Sequence, residues 1–185
     1  MTVQLAKRLI NADEYNTMIE TGILTNEDRV ELIHGEILEM SPTGKKHRST
    51  VIRVENKLKE LFGNKALISV QNPININDLN EPEPDIAILK NSEDYYDDCS
   101  IKPEDIHLII EVSDSTYIYD KEVKGTLYGS AGILEYWIIR LETKEIEVHT
   151  IPAKGGYKII EIFYVEDQIK LNFCQKSLPV KNLIG

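Results

Sequence analysis

Two carboxylates occupy positions where the sequence predicts buried strand residues. Asp85 follows Pro84 and opens a short apolar run, and Glu111 lies near the end of the most apolar run of the chain, residues 106–112. A buried carboxylate is unfavourable unless it is paired, hydrogen-bonded or bound to a metal. If neighbouring strands bring both together, a divalent cation with oxygen ligands is the usual way to offset their repulsion. The alternative is that an Arg or Lys from an adjacent element neutralises each one.

Lys124 is the third residue with a chemical interpretation. It lies four residues after Asp120 and four before Tyr128, on a predicted helix that follows the Glu111 strand. One interpretation is an exposed Asp120–Lys124 pair at i, i+4 spacing, which contributes a few tenths of a kcal/mol. In the other, Lys124 faces the two carboxylates, where it orients a water or stabilises the charge that develops on a phosphate. The sequence leaves both open.

The charge of the chain is concentrated in one segment. The 185 residues include 31 acidic and 21 basic residues, a net charge of −10. Residues 76–120 hold 13 acidic residues against two lysines, a net of −11, whereas the rest holds 18 acidic and 19 basic residues. The acidic total argues against a protein that coats nucleic acid nonspecifically. It does not exclude an enzyme that gathers carboxylates around a cation.

The hydrophobic pattern predicts three helices and several strands. The helices are a short one ending near Glu20, a basic one between Gly44 and Gly63, and one over residues 120–131. Extended segments are predicted at 29–40 with a turn at Gly35-Glu36, and at 66–76, 84–89, 106–112, 135–141, 145–151, 157–165 and 168–173. This order predicts one α/β domain over residues 1–185, with a mixed sheet and an antiparallel C-terminal meander.

Composition and cysteine usage indicate a cytoplasmic protein that does not enter a membrane. The chain is 42% hydrophobic and 28% charged, and it has no apolar run long enough to span a bilayer or to form a signal peptide. Cys99 and Cys174 match no metal or redox spacing and are predicted to be free thiols.

An ordered set of motifs resembles the PD-(D/E)XK nucleases, with Ser113 where their lysine usually stands. More narrowly, the chain resembles the Uma family of restriction-endonuclease-like proteins. The matching pieces are Arg29-Val30-Glu31-Leu32-Ile33-His34-Gly35-Glu36-Ile37, Ser41-Pro42 with His47, Glu83-Pro84-Asp85, Leu108-Ile109-Ile110-Glu111-Val112-Ser113, Ser115-Thr116, Asp120, Lys124 with Tyr128, and Gly132-Ile133 with Glu135-Tyr136-Trp137.

The resemblance implies a restriction-endonuclease-like α/β fold in which Asp85 and Glu111 ligate Mg²⁺ or Mn²⁺. Lys124 matches the position to which the nuclease lysine has moved in this family. Three supporting residues, Glu31, Glu36 and His47, also match family positions. The chain departs from the family pattern at Asp114, where Pro is common, and at Tyr117-Ile118-Tyr119, where the family is usually more basic.

The resemblance predicts that the protein is an endonuclease that hydrolyses DNA phosphodiester bonds in a metal-dependent reaction. The basic segment 45–65, with seven basic and two acidic residues, is the candidate contact to the DNA backbone, although a solvated helix face gives the same pattern. A second hypothesis is a catalytically degenerate nuclease fold that serves as a binding or regulatory module, and this hypothesis includes a homodimer. A third is a metal-dependent hydrolase of small phosphoesters.

Overall fold

A six-stranded mixed sheet forms the centre of the computed structural model, which describes residues 7–25, 27–97 and 99–185. Its strands run in the order β3-β4-β5-β6-β7-β8, and only β5 and β6 are parallel. The bounds are β3 Leu67–Val70, β4 Ile86–Leu89, β5 Ile106–Ser113, β6 Glu135–Arg140, β7 Glu145–Ala153 and β8 Gly156–Phe163. The antiparallel β6-β7-β8 unit is the predicted C-terminal meander. The mixed α/β architecture predicted from sequence is confirmed.

The register of β4 against β5 places the two candidate carboxylates side by side. Ile86 of β4 pairs with Ile110 of antiparallel β5, so Asp85 and Glu111 are the next residues along each strand. Because side chains alternate between the faces of a strand, Asp85 shares its sheet face with Ala87, and Glu111 shares it with Ile109. Ala87 and Ile109 belong to the same apolar cluster, so both carboxylates lie on one face.

Helices cover both faces of the sheet. Helix α2, Lys45–Phe62, buries Val51, Val54, Leu58 and Phe62 on one face. The opposite face carries Tyr128 of helix α4, Gly125–Ser130, packed edge-on against Tyr136 of β6 with ring centroids 5.1 Å apart. This second layer is the connection between the parallel strands β5 and β6, which parallel pairing requires.

The connection is not the single regular helix that the sequence pattern predicts over residues 120–131. It begins with a helical turn α3, Tyr117–Tyr119, continues as a π-helical segment, Asp120–Lys124, and ends as α4. The Gly125 N–H donates to the carbonyl of Asp120, five residues back. The Tyr136 hydroxyl donates to the same carbonyl at 2.9 Å, so a sheet residue holds this wider turn. π-Helical turns inside helices are frequent at functional sites.

A β-hairpin precedes the sheet and carries Glu31. Helix α1, Ala12–Glu20, is capped by Asn11 and leads to β1, Val30–Ile33, and β2, Glu36–Glu39. The two turn residues are His34 and Gly35, both with positive φ, so the turn lies one residue earlier than predicted. Two-residue hairpin turns favour such angles because their twist matches that of the strands. The hairpin is fixed to the chain before β4 by hydrogen bonds between the backbones of Leu32 and Glu81.

One predicted strand is shorter than the pattern indicates, and another pairs outside the central sheet. The segment 66–76 contributes only β3, and residues beyond Val70 bend away as a loop. The last predicted strand becomes β9, Gln168–Lys170, which leaves the sheet and pairs with β10, Ser177–Pro179, before the terminal helix α5, Lys181–Ile184. Within the described ranges, none of the helices is both long and apolar enough to cross a membrane.

Gly129 is predicted to be irreplaceable where α4 crosses β8. A Cβ at this position would lie 2.1 Å from the carbonyl oxygen of Gly156, which is backbone and cannot rotate away. Gly129→Ala should therefore lower the free energy of unfolding by about 1–3 kcal/mol through overpacking. Gly44→Ala is the matched control, since its Cβ would meet only Asp114 Oδ2 at 3.7 Å. Urea denaturation of both variants measures the difference, and equal stability would contradict the close approach.

Candidate metal centre

Asp85 is held by three donors from three different parts of the chain. Its Oδ2 accepts the Val112 N–H at 2.9 Å and lies 2.9 Å from His47 Nε2, while its Oδ1 accepts from Gln71 Nε2 at 3.2 Å. The residue is 9% exposed. Burial opposes ionisation, but the hydrogen bond and charge of His47 and the bonds from Val112 and Gln71 outweigh it and lower the pKa of Asp85.

Glu111, on the neighbouring strand, is held by hydrogen bonds in much the same way as Asp85. Its Oε2 accepts the backbone N–H of Asp85 at 3.3 Å, and its Oε1 accepts from Lys124 Nζ at 3.1 Å and the Tyr128 hydroxyl at 3.0 Å. Each carboxylate is thus braced by the backbone of the opposite strand. Burial and the neighbouring carboxylates raise the pKa of Glu111 to about 8, against the opposing effect of Lys124.

Lys124 lies between two carboxylates and is 5% exposed. Its Nζ is 3.1 Å from Glu111 Oε1 and 3.2 Å from Glu31 Oε2. Burial opposes the charge, but the surrounding carboxylates prevail and raise the pKa of Lys124. The alternative of an exposed pair with Asp120 does not describe this side chain, because Asp120 is itself buried and bonded to Thr116 Oγ1 at 2.6 Å.

The three predicted central residues, Asp85, Glu111 and Lys124, line one cavity of about 390 Å³. Glu31 and His47 line it too, as do further acidic residues, Glu39, Glu83, Asp114 and Asp120. Burial is the main cause that raises the pKa of Glu83 and of Asp120. The cavity therefore concentrates negative charge around a single buried lysine, and Arg29 is the other basic residue of its lining apart from His47.

The predicted supporting residues separate into two groups. His47 contacts Asp85, and Glu31 contacts Lys124, so both touch the central three. Glu36 directly follows the hairpin turn with its side chain 45% exposed, where it pairs with Lys7 at 2.9 Å. It is not part of the cavity lining.

The oxygen donors suit Mg²⁺ or Mn²⁺, which proteins often bind through one or two carboxylates with waters and phosphates completing the shell. Asp85 Oδ1 and Glu111 Oε2 each accept a single long hydrogen bond and retain acceptor capacity. Over the described part of the chain, no group of three or more His, Cys, Asp or Glu side chains is arranged to hold a metal ion. A cation here would therefore rest on two protein carboxylates and on solvent or substrate oxygens.

Several contacts at this site could not be predicted from the amino-acid pattern. Gln71 follows the edge strand at a positive φ, Tyr119 lies in the short turn α3, and the Tyr128 hydroxyl reaches Glu111 from α4. Tyr128 is recognisable only as one piece of the family pattern. Gln71 is placed at the site by the loop after β3 and Tyr119 by the turn α3, and neither of these follows from hydrophobic periodicity.

Comparison with known proteins places these elements in a family. Residues 12–179 match the sequence model of the family Uma2, described as “Putative restriction endonuclease”. Among solved structures, a putative nuclease belonging to DUF820 from Anabaena variabilis superposes with a TM-score of 0.72 at 15% identity, over 95% of this chain and 97% of that one. A search of curated proteins found no match. The structural likeness establishes a shared nuclease-like fold.

Removing the buried ammonium should destabilise the protein, and more so at high pH. Lys124→Met leaves Glu111 and Glu31 without their cation, and breaking a buried pair costs about 3–5 kcal/mol. The ammonium lowers the pKa of Glu111, which is about 8 with Lys124 in place, so its removal raises that pKa further, and the variant loses additional stability above pH 8, where the wild-type carboxyl ionises. The loss of unfolding free energy should therefore be larger at pH 8.5 than at pH 5.5.

Urea denaturation at the two pH values measures this difference. Lys57→Met is the control, because the Lys57 side chain is 37% exposed and, among the described residues, forms an ion pair with Glu60 alone. A loss for Lys124→Met that is small and independent of pH would contradict a charged lysine between two buried carboxylates.

Proposed function

Because the chain belongs to the Uma2 family, we propose that it is a metal-dependent endonuclease that hydrolyses DNA phosphodiester bonds. Asp85 and Glu111 are the proposed ligands of Mg²⁺ or Mn²⁺, and Lys124 is the proposed catalytic lysine. The nuclease-like fold shared with the Anabaena protein is consistent with this activity, and proteins with restriction-endonuclease-like folds generally use divalent metals.

One observation carries the proposal: two carboxylates on opposed strands meet a buried lysine in the same cavity. The backbones of β4 and β5 brace the two carboxylates, and Lys124 reaches Glu111 from the helical connection. Such buried charges are costly, and replacing ion pairs by apolar residues is often neutral or stabilising. When such groups cluster in a cleft, and the pKa of one carboxyl is lowered while that of its neighbour is raised, the cluster is a recognised sign of a functional site.

Each residue has a separable task in phosphodiester hydrolysis. When bound, the divalent cation lowers the pKa of its water and neutralises charge on the phosphate. Asp85, kept ionised by its three donors, supplies a fixed negative charge. The Lys124 ammonium donates one N–H to Glu111 and lies within ion-pair distance of Glu31, so it retains donor capacity for a water or a phosphate oxygen. A preorganised cation of this kind stabilises charge that develops in the transition state.

The first turn of α2 is the proposed DNA contact. Lys45, Lys46 and Arg48 are exposed beside Gly44 and His47, which line the cavity. The other basic residues of the helix have partners: Lys57 pairs with Glu60, Lys59 pairs with Glu55, and Arg53 donates to the terminal carbonyls of Leu183 and Ile184. Among the described residues, the cavity end of the helix therefore offers exposed basic side chains without an ion-pair partner to a DNA phosphate.

The alternative function is a degenerate nuclease fold that binds without cutting, with a homodimer as its proposed assembly. The observation in its favour is Ser113, which occupies the usual lysine position and whose buried hydroxyl has no hydrogen-bond partner among the described residues. The survival of a buried lysine at 124 favours the enzyme.

A cytoplasmic location is part of the same proposal, because reducing compartments maintain free thiols such as Cys99 and Cys174.

Asp85→Asn should abolish metal-dependent cleavage while leaving the fold intact. The change keeps the side-chain volume but removes the anionic charge at the proposed cation site. With supercoiled plasmid and with single-stranded DNA in Mn²⁺ or Mg²⁺, the cleavage rate should fall by about a hundredfold or more, the scale of losing a principal electrostatic contribution. Asp13→Asn, at an exposed position on α1, should cleave like the wild type.

Equal cleavage by wild type and Asp85→Asn would identify a contaminating nuclease and overturn the assignment. An inactive wild type that still binds Mn²⁺ in calorimetry would favour the binding module instead.

The salt dependence of DNA binding should show whether the first turn of α2 contacts DNA phosphates. Neutralising Lys45, Lys46 and Arg48 together to Gln, in the Asp85→Asn background, should reduce the slope of log K against log salt by about 2–3, since each phosphate contact contributes about 0.9. The control removes the same charge at Lys57, Lys59 and Lys65 and should leave the slope unchanged. Fluorescence anisotropy with duplex DNA measures both, and equal slopes would contradict the assigned contact surface.

A further inference from the structure

We propose that Glu31 is a positioning residue for Lys124 and is not a metal ligand. This inference rests on the proposed function, because it assigns how the lysine of that same site is held in place. Glu31 comes from the hairpin rather than from the central sheet, so it reaches the Lys124 ammonium from a different element than Glu111 does.

The contacts of Glu31 are directed at the lysine and its surroundings. Its Oε2 lies 3.2 Å from Lys124 Nζ and also accepts the Glu83 N–H at 3.1 Å, while its Oε1 accepts the Tyr119 hydroxyl at 3.0 Å. Neither oxygen contacts Asp85, nor the donors that brace Asp85. The carboxylate is 3% exposed, so these three donors fix its orientation.

Tyr119 strengthens the same arrangement. Its hydroxyl donates to Glu31, and its ring centroid lies 5.9 Å from Lys124 Nζ, within reach of a cation–π attraction. The Lys124 ammonium therefore has Glu111, Glu31 and the Tyr119 ring around it. With one N–H group bonded to Glu111 and the Glu31 carboxylate within ion-pair distance, the ammonium is held at the cavity and keeps donor capacity for a water or phosphate oxygen.

The hairpin that presents Glu31 is itself anchored. Leu32, the next residue, exchanges backbone hydrogen bonds with Glu81 at 3.3 and 2.8 Å, and the Gly35 N–H donates to Leu79 at 2.8 Å. These bonds tie β1 to the segment that leads into Asp85. The hairpin thus sets the distance between Glu31 and the strands that carry the two proposed ligands, which is the property that a positioning residue needs.

The test compares Glu31→Gln with Glu36→Gln, which removes a carboxylate from the same hairpin outside the cavity. In metal-free protein, the rate at which acetic anhydride modifies Lys124, followed by mass spectrometry, should rise several-fold in Glu31→Gln and stay unchanged in Glu36→Gln. Calorimetric Mn²⁺ affinity of Glu31→Gln should stay within about twofold of wild type, whereas Asp85→Asn should lose it. For DNA cleavage, kcat should fall by roughly tenfold or more, with KM within about twofold.

Tyr119→Phe provides a second variant in case Glu31→Gln is destabilised. It keeps the charge of Glu31 but removes one donor, so it should shift Lys124 reactivity and kcat in the same direction by a smaller factor. Thermal melts establish whether each variant is folded under the assay conditions.

A Mn²⁺ affinity that falls tenfold or more in Glu31→Gln would make Glu31 a ligand and overturn the inference. Unchanged Lys124 reactivity in both Glu31→Gln and Tyr119→Phe would overturn it as well. Absence of cleavage by the wild type would overturn the proposed nuclease function, while the metal-free reactivity still decides whether Glu31 holds Lys124.

Discussion

A charged lysine buried between two carboxylates is the constraint around which the rest of the site is arranged. Lys124, Glu111 and Glu31 are each almost fully buried, and each would be strongly unfavourable alone. They come from the helical connection, the central sheet and the hairpin, so the three elements must meet for any one charge to be tolerated. The interaction therefore links correct folding to assembly of the cavity.

The sheet supplies the second requirement, a fixed spacing between Asp85 and Glu111. Each carboxylate accepts a backbone N–H from the opposite strand, and these bonds depend on the register of β4 against β5. A slip of one residue would move either carboxylate to the other face. The π-helical turn supplies the third requirement, because Asp120 and Lys124 are both buried within it and its Asp120 carbonyl accepts both the Gly125 N–H and the Tyr136 hydroxyl. Precise placement of charge thus comes from backbone pairing more than from side-chain packing.

Site residues can be predicted from the sequence where a charged residue interrupts the hydrophobic pattern of a strand. Asp85 and Glu111 are recognisable because a carboxylate inside an apolar strand demands an explanation, and the strands themselves follow from simple periodicity. Lys124 could not be distinguished from a surface partner of Asp120, since i, i+4 spacing describes an α-helix and the real turn is π-helical. Glu36 and Glu31 both match the family pattern, yet only Glu31 points into the cavity. The register of β1 against β2 puts both on one face of the hairpin, but Glu36 directly follows the turn, whereas the opposite end of the hairpin, with Arg29 and Leu38, lines the cavity.

The central claim is that Asp85 and Glu111 share one divalent cation beside Lys124. A crystal structure of the wild-type protein grown with Mn²⁺, with anomalous diffraction recorded at the manganese absorption edge, tests it most directly. The account predicts one strong anomalous peak bonded to an oxygen of Asp85 and an oxygen of Glu111, with Lys124 still paired to Glu31. A cavity without an anomalous peak at saturating Mn²⁺, or a peak bound by other residues, would contradict it.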